Sequence, residues 1–277
     1  MHAIVSRRSL FAIAVFTLAV VAVPSASHSC GGYHWARTSN PFKLKLGDNL
    51  TTADWKAHLA QTSQDWNTGN TPVVTAIIAG QSRKRCSMVA GTTQVCNGTY
   101  GNTGWLGLAT INIIDGTHIT QGSAKMNDTY FNTATYNNPN EREHVMCQEV
   151  AHTFGLDHQS TDGSSLNTCM DYFSNTGPNA GSVLSTKPNQ HDFDELQIIY
   201  AHLDATTTVA AMAPLAASAS QDTDDPNSWG QLMSQSHNGR SSTYERFERD
   251  GSKTVTHVFW TSEAAASCPS CDHRFTR

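Results

Sequence analysis

An α+β fold is what this sequence predicts, on three observations: short strand-like runs are interspersed with amphipathic helix patterns, a well-marked helix start lies mid-chain, and turn residues punctuate the rest. From Phe42 to Leu46 apolar residues alternate with Lys, as on a half-buried strand. Thr51-Thr52-Ala53-Asp54 opens a helix to about Trp66, with Trp55, Leu59 and Trp66 on its buried side. Val73 to Ala79 reads as a second strand, Gly104 to Ile114 as a third and Ile119 to Met126 as a fourth. Asn138 can cap a helix that has Pro139 at its first position and Glu141 in its first turn. On that helix Met146, Val150 and Phe154 recur every four residues and should face the sheet, while Gln148 and His152 share another face. Gly155 ends it, because the chain reverses there. His191 to His202 reads as a last helix with Phe193, Leu196, Ile199 and Tyr200 inward. Residues 205–227 are rich in Ala, Thr, Ser and Asp without periodicity and read as a linker. Beyond them Tyr244 to Arg249 and Lys253 to Trp260 flank the turn dipeptide Asp250-Gly251, a small C-terminal β-hairpin appendage (residues 228–277). Two strands alone are marginal, so this hairpin must pack on the main domain or on Trp229 and Leu232.

Arg7 and Arg8 precede an apolar run from Leu10 to Val23, followed by small residues, which reads as a cleaved secretory signal over residues 1–29. The run is 14 residues, short of the ~20 that span a bilayer, and nothing later replaces it, so the expected product is an exported, extracellular monomer without a membrane span. Loss of Arg7 and Arg8 leaves 16 basic against 23 acidic residues, a formal charge of −7 that argues against nucleic acid as a partner. Seven cysteines in an exported chain favour disulfides. The expected pairs are Cys86 with Cys96, Cys147 with Cys169, and Cys268 with Cys271 or with Cys30, and Cys30 is the candidate for the odd thiol.

The chemistry concentrates in Gln148-Glu149-Val150-Ala151-His152-Thr153-Phe154-Gly155-Leu156-Asp157-His158. Apart from its first letter this is HExxHxxGxxH, in which two histidines one turn apart and a third after a Gly reversal hold zinc, and the Glu is general base. Gln148 stands where the first His belongs; Glu149, His152, Gly155 and His158 are in place. Met170, in Cys169-Met170-Asp171-Tyr172, lies twelve residues beyond His158.

With that second motif the chain resembles the metzincin metalloproteases over about Tyr33 to Asp204, most closely their matrixin-like branch, and residues 30–204 read as the catalytic domain. The resemblance implies a twisted mixed sheet with an active-site helix, a Met-turn and a further helix after it. It implies one catalytic zinc on His152, His158 and a weak third ligand, Gln148, whose neutral carbonyl is a poorer donor than imidazole. Glu149 would then serve as base, Met170 as apolar floor, and Tyr172 as the Met-turn tyrosine of the astacin-like and serralysin-like branches. Trp105, Leu106, Gly107 and Leu108 are the candidate edge strand that would bind a protein or peptide substrate as an added strand. His144, two helical turns before His152, reads as hydrogen-bonded or exposed. Asp115 and His118 lack the full ligand set of a second zinc and read as a turn; Asp162-Gly163 does not amount to a calcium loop, so calcium is left open. The short stretch between the signal and the first strand predicts an enzyme without a folded propeptide. Two functional readings stand: a secreted zinc endopeptidase, and a protease-like protein that binds peptide without cutting it.

Overall fold

The computed structural model describes residues 28–82, 85–160, 162–210 and 223–275. Most of the expected signal and the middle of the expected linker, 211–222, lie outside the described residues. His28 and Ser29, the last two residues of the expected signal, contact the loop after His152: the Asp157 N–H donates to the His28 carbonyl and Ser29 bridges Leu156.

Strands β1 (His34–Trp35) and β2 (Phe42–Asp48) precede helix α1 (Ala53–Asn67), whose N-cap Thr52 accepts from the Trp55 N–H. Strands β3 (Val73–Ala79), β4 (Thr92–Gly98), β5 (Trp105–Ile114) and β6 (His118–Asn127) follow. A single turn of helix, α2 (Asp128–Phe131), leads to α3 (Pro139–His152), and α4 (Gln190–Ile199) comes after the Met-turn region. Strands β7 (Gln231–Gln235), β8 (Ser241–Phe247) and β9 (Lys253–Trp260) and the short helix α5 (Ser262–Ser267) complete the described chain.

All the strands form one open mixed sheet in the order β3-β2-β4-β6-β5-β9-β8-β7, with β1 also on β6. The pairs among β3, β2, β4 and β6 are parallel, and those from β6 through β5, β9 and β8 to β7 are antiparallel. The α+β class is thus the observed one. Helices α1 and α3 pack together, and α3 lies on β5, β6 and β9. The main core lies between these layers, where Trp55, Trp66, Val150, Phe154 and Met170 are at most 1% exposed.

The C-terminal segment is no appendage. It adds three strands to the main sheet, and β9 pairs with β5 from Trp105 to Ile113. Both faces of β9 are buried: Val255 and Phe259 join the main core, while Val258 and Trp260 join a second cluster with Trp105, Leu108, Trp229 and Tyr244. Nor is residue 205 onward all linker. Thr208 donates its N–H to Ala36 and its hydroxyl to Ile119, and Ala210 donates to Gly91, so 205–210 is tied to the core.

Candidate metal centre

Helix α3 is closed at its start by Asn138, whose side chain accepts from the Glu141 N–H, and by Pro139 in the first turn. At its end Gly155 adopts φ +93°, and a Cβ there would lie 1.9 Å from the Tyr33 carbonyl oxygen. Only glycine permits that reversal so close to another backbone. The reversal returns His158 to His152, with ring centroids 4.5 Å apart. His152 Nδ1 lies 2.9 Å from the Leu156 carbonyl oxygen, and His158 Nδ1 lies 2.8 Å from an Asp157 carboxylate oxygen. A neutral imidazole that donates from Nδ1 presents a lone pair at Nε2, the arrangement that orients a metal-binding histidine.

A third imidazole beside His152 and His158 comes from β9. His257 stacks on His152 at 4.0 Å between centroids, and the ligand atoms of His152, His158 and His257 all lie within 4.8 Å of one another. Gln148, the residue expected as third ligand, donates from Nε2 to the carbonyl oxygens of Cys169 at 2.7 Å and Asp171 at 2.9 Å. Its Oε1 is buried without a hydrogen-bond partner. The amide therefore clamps α3 to the Met-turn. Sequence reasoning missed His257 because nothing local marks it; the one available signal was a polar residue between Val255 and Phe259 on the inward face of a strand.

Burial lowers His152 well below the ordinary histidine range, with His257 and His158 adding to the effect, and burial takes His257 down to about 4. Asp157 is held well below its usual range: burial raises it, but the hydrogen bond and charge of His158 outweigh that. Imidazoles, with Nδ1 of His152 and of His158 each turned to an oxygen acceptor, are a donor set suited to zinc, so the residues present fit the metal that the motif implies.

Glu149 is fully buried beneath β5, and burial pushes its carboxyl well above the ordinary range, with the Ala109 backbone N–H pulling it partly back. Gly107 leaves room for it, since a Cβ there would sit 2.4 Å from Glu149 Oε1 and 2.6 Å from Val145 Cγ1. Gly107→Ala should therefore displace the carboxylate. For Glu149 acting as a general base, a misplacement of that kind costs on the order of 100-fold in turnover, the fall expected in a peptide-cleavage assay, while any bound zinc, measured alongside, stays at the wild-type level.

Met170 is fully buried in the main core, and the Tyr172 ring lies against His158 at 4.3 Å. The disulfide Cys147–Cys169 ties α3 to the Met-turn, and Cys86–Cys96 and Cys268–Cys271 are also formed. Cys30 is the free thiol, and its Sγ lies 3.3 Å from His257 Nε2. His144 is buried and hydrogen-bonded to Asn175 and the Asp171 carbonyl. The expected substrate edge is not free. Trp105, Leu106 and Leu108 are 0% exposed, because β5 has β6 on one side and β9 on the other.

No family model matches the chain, and no curated protein matches it. Among solved structures, it is similar to myroilysin at 14% identity and a TM-score of 0.35, over 63% of this chain and 98% of that one. It is also similar to high choriolytic enzyme 1, a hatching-enzyme zinc protease of the medaka fish Oryzias latipes, at 11% identity and a TM-score of 0.36, over 64% and 99% of the two chains.

Proposed function

We propose that the chain is an exported zinc endopeptidase of the metzincin type, matrixin-like in its element order, acting as a monomer on protein or peptide. The observation that carries the reading is the cluster of three imidazoles, His152, His158 and His257, on and beside the helix that bears Glu149. A zinc ion held by those imidazoles supplies Lewis acidity and lowers the pKa of water to about 7. Glu149 takes the proton from the attacking water and returns it to the leaving amine. Tyr172 donates its hydroxyl to the oxyanion that develops on the scissile carbonyl. The raised carboxyl of Glu149 suits the second half of that cycle, in which it must hold a proton.

The test is the pair of wild type and Glu149→Ala, both assayed for zinc and for cleavage of a broad peptide library. Cleavage should be chelator-sensitive in the wild type and fall by at least ~100-fold in the variant, the scale of general-base catalysis, with zinc retained. Zinc-loaded wild type that cleaves nothing sinks the reading.

One observation favours a second reading. β9 occupies the full edge of β5, so a peptide cannot add to that strand while the hairpin is in place. On this reading the protein holds zinc without turning over peptide. A screen in which zinc is stoichiometric and cleavage absent selects it.

A further inference from the structure

We infer that the chain carries a second divalent-metal site, built from His34, His202 and Asp204 with His118 beside them. The four residues are far apart in sequence: His34 lies on β1, His118 opens β6, and His202 and Asp204 follow α4. The parallel pairing of β1 with β6 sets His34 directly beside His118. Their side chains converge on one oxygen. Asp204 Oδ1 lies 3.4 Å from His34 Nε2, 3.6 Å from His202 Nε2 and 3.3 Å from His118 Nε2, and the Nε2 atoms of His34 and His202 are 3.1 Å apart.

Those lengths are informative. Four ligands at ~2.0–2.1 Å around a tetrahedral zinc are separated from one another by about 3.3–3.4 Å, which is the scale of these contacts. Orientation agrees with distance. His34 Nδ1 lies 2.9 Å from the Gly32 carbonyl oxygen, to which it can only donate, so the neutral ring presents its Nε2 lone pair to the cluster. Asp204 is fixed in the same sense: Oδ2 accepts from the Arg37 backbone N–H at 3.1 Å and from Nη1 at 2.8 Å, leaving Oδ1 to face the imidazoles. The His34 ring stands nearly perpendicular to those of His118 and His202.

A set of two imidazole nitrogens and one carboxylate oxygen matches zinc-class ions rather than calcium or magnesium, which take mostly oxygen. His34, His202 and Asp204 are the ligands, with His118 Nε2 on Asp204 Oδ1 beside them, and the ion would staple β1 to the segment after α4. His202 is exposed, so the ion can enter from solvent. The sequence showed His118 and Asp115 alone; the partners arrive only through the fold.

The experiment isolates this site in full-length protein carrying His152→Ala, which removes the first centre. Zinc titration by calorimetry should show one site per chain, and chelator should lower the thermal midpoint. Adding His202→Ala, a change at an exposed residue that the fold tolerates, should abolish the titration and the chelator effect; His118→Gln should weaken binding by roughly 10-fold or more. If the His152→Ala protein is folded by circular dichroism yet takes up no zinc, or if His202→Ala leaves its binding unchanged, the proposal is overturned. Either result is independent of whether the protein cleaves peptides.

Discussion

His257→Ala should lose the zinc of the first centre, although the residue lies outside the protease signature altogether. Removing one of three imidazoles costs at least the 10- to 100-fold that a mere outer-shell change costs, and a two-imidazole remnant should fall well beyond that. Gln148→Ala should keep the metal, because three imidazoles remain. The comparison is made in a His202→Ala background, so that only one centre is counted by elemental analysis. His257→Gln preserves bulk at a site stacked against His152 and keeps a lost ligand distinct from a lost fold. The opposite pattern, zinc kept in His257→Ala and lost in Gln148→Ala, would return the third-ligand role to the signature position and remove β9 from the metal centre.

That contrast also locates what sequence could and could not reveal. Helix α3, its Asn138 cap, its Gly155 stop and the pair His152 and His158 are encoded within twenty-one residues, by spacing and capping chemistry that need no tertiary knowledge. The strands β2, β3, β5 and β6 announce themselves by apolar content. β4 does not: Thr92, Thr93, Gln94 and Asn97 are all buried yet polar, and their hydrogen bonds, such as Gln94 to Thr92 and Asn97 to Asp128, form only when the sheet is assembled. β7 is largely exposed and carries no core face to betray it. His257, and the convergence of His34, His118, His202 and Asp204, depend on strand pairings across the chain. Local pattern specifies half of the metal chemistry here; the remainder depends on topology.

The second large effect falls on stability. Gly155→Ala should destabilise the fold by more than ~3 kcal/mol, the range reserved for backbone conflict and overpacking together. Two independent costs meet at that position. The backbone is at φ +93°, well outside the ordinary left-handed well near +57°, so a residue with a Cβ is strained even in open space. The space is not open: the Cβ would sit 1.9 Å from the Tyr33 carbonyl oxygen, and backbone cannot swing aside as a flexible side chain can. The conflict is also positioned to propagate. The Cys30 N–H donates to the Gly155 carbonyl and Leu156 bridges Ser29, so pushing residues 155 and 33 apart separates the N-terminal segment from the loop that carries His158. Chemical denaturation should therefore show a large fall in midpoint, and zinc affinity should drop with it. By contrast Gly251→Ala, also at positive φ but with nothing within 4 Å of its Cβ, should cost only about 1 kcal/mol and leave zinc untouched. Equal effects at the two glycines would mean that the close approach of Gly155 to Tyr33 does not hold the metal loop in place.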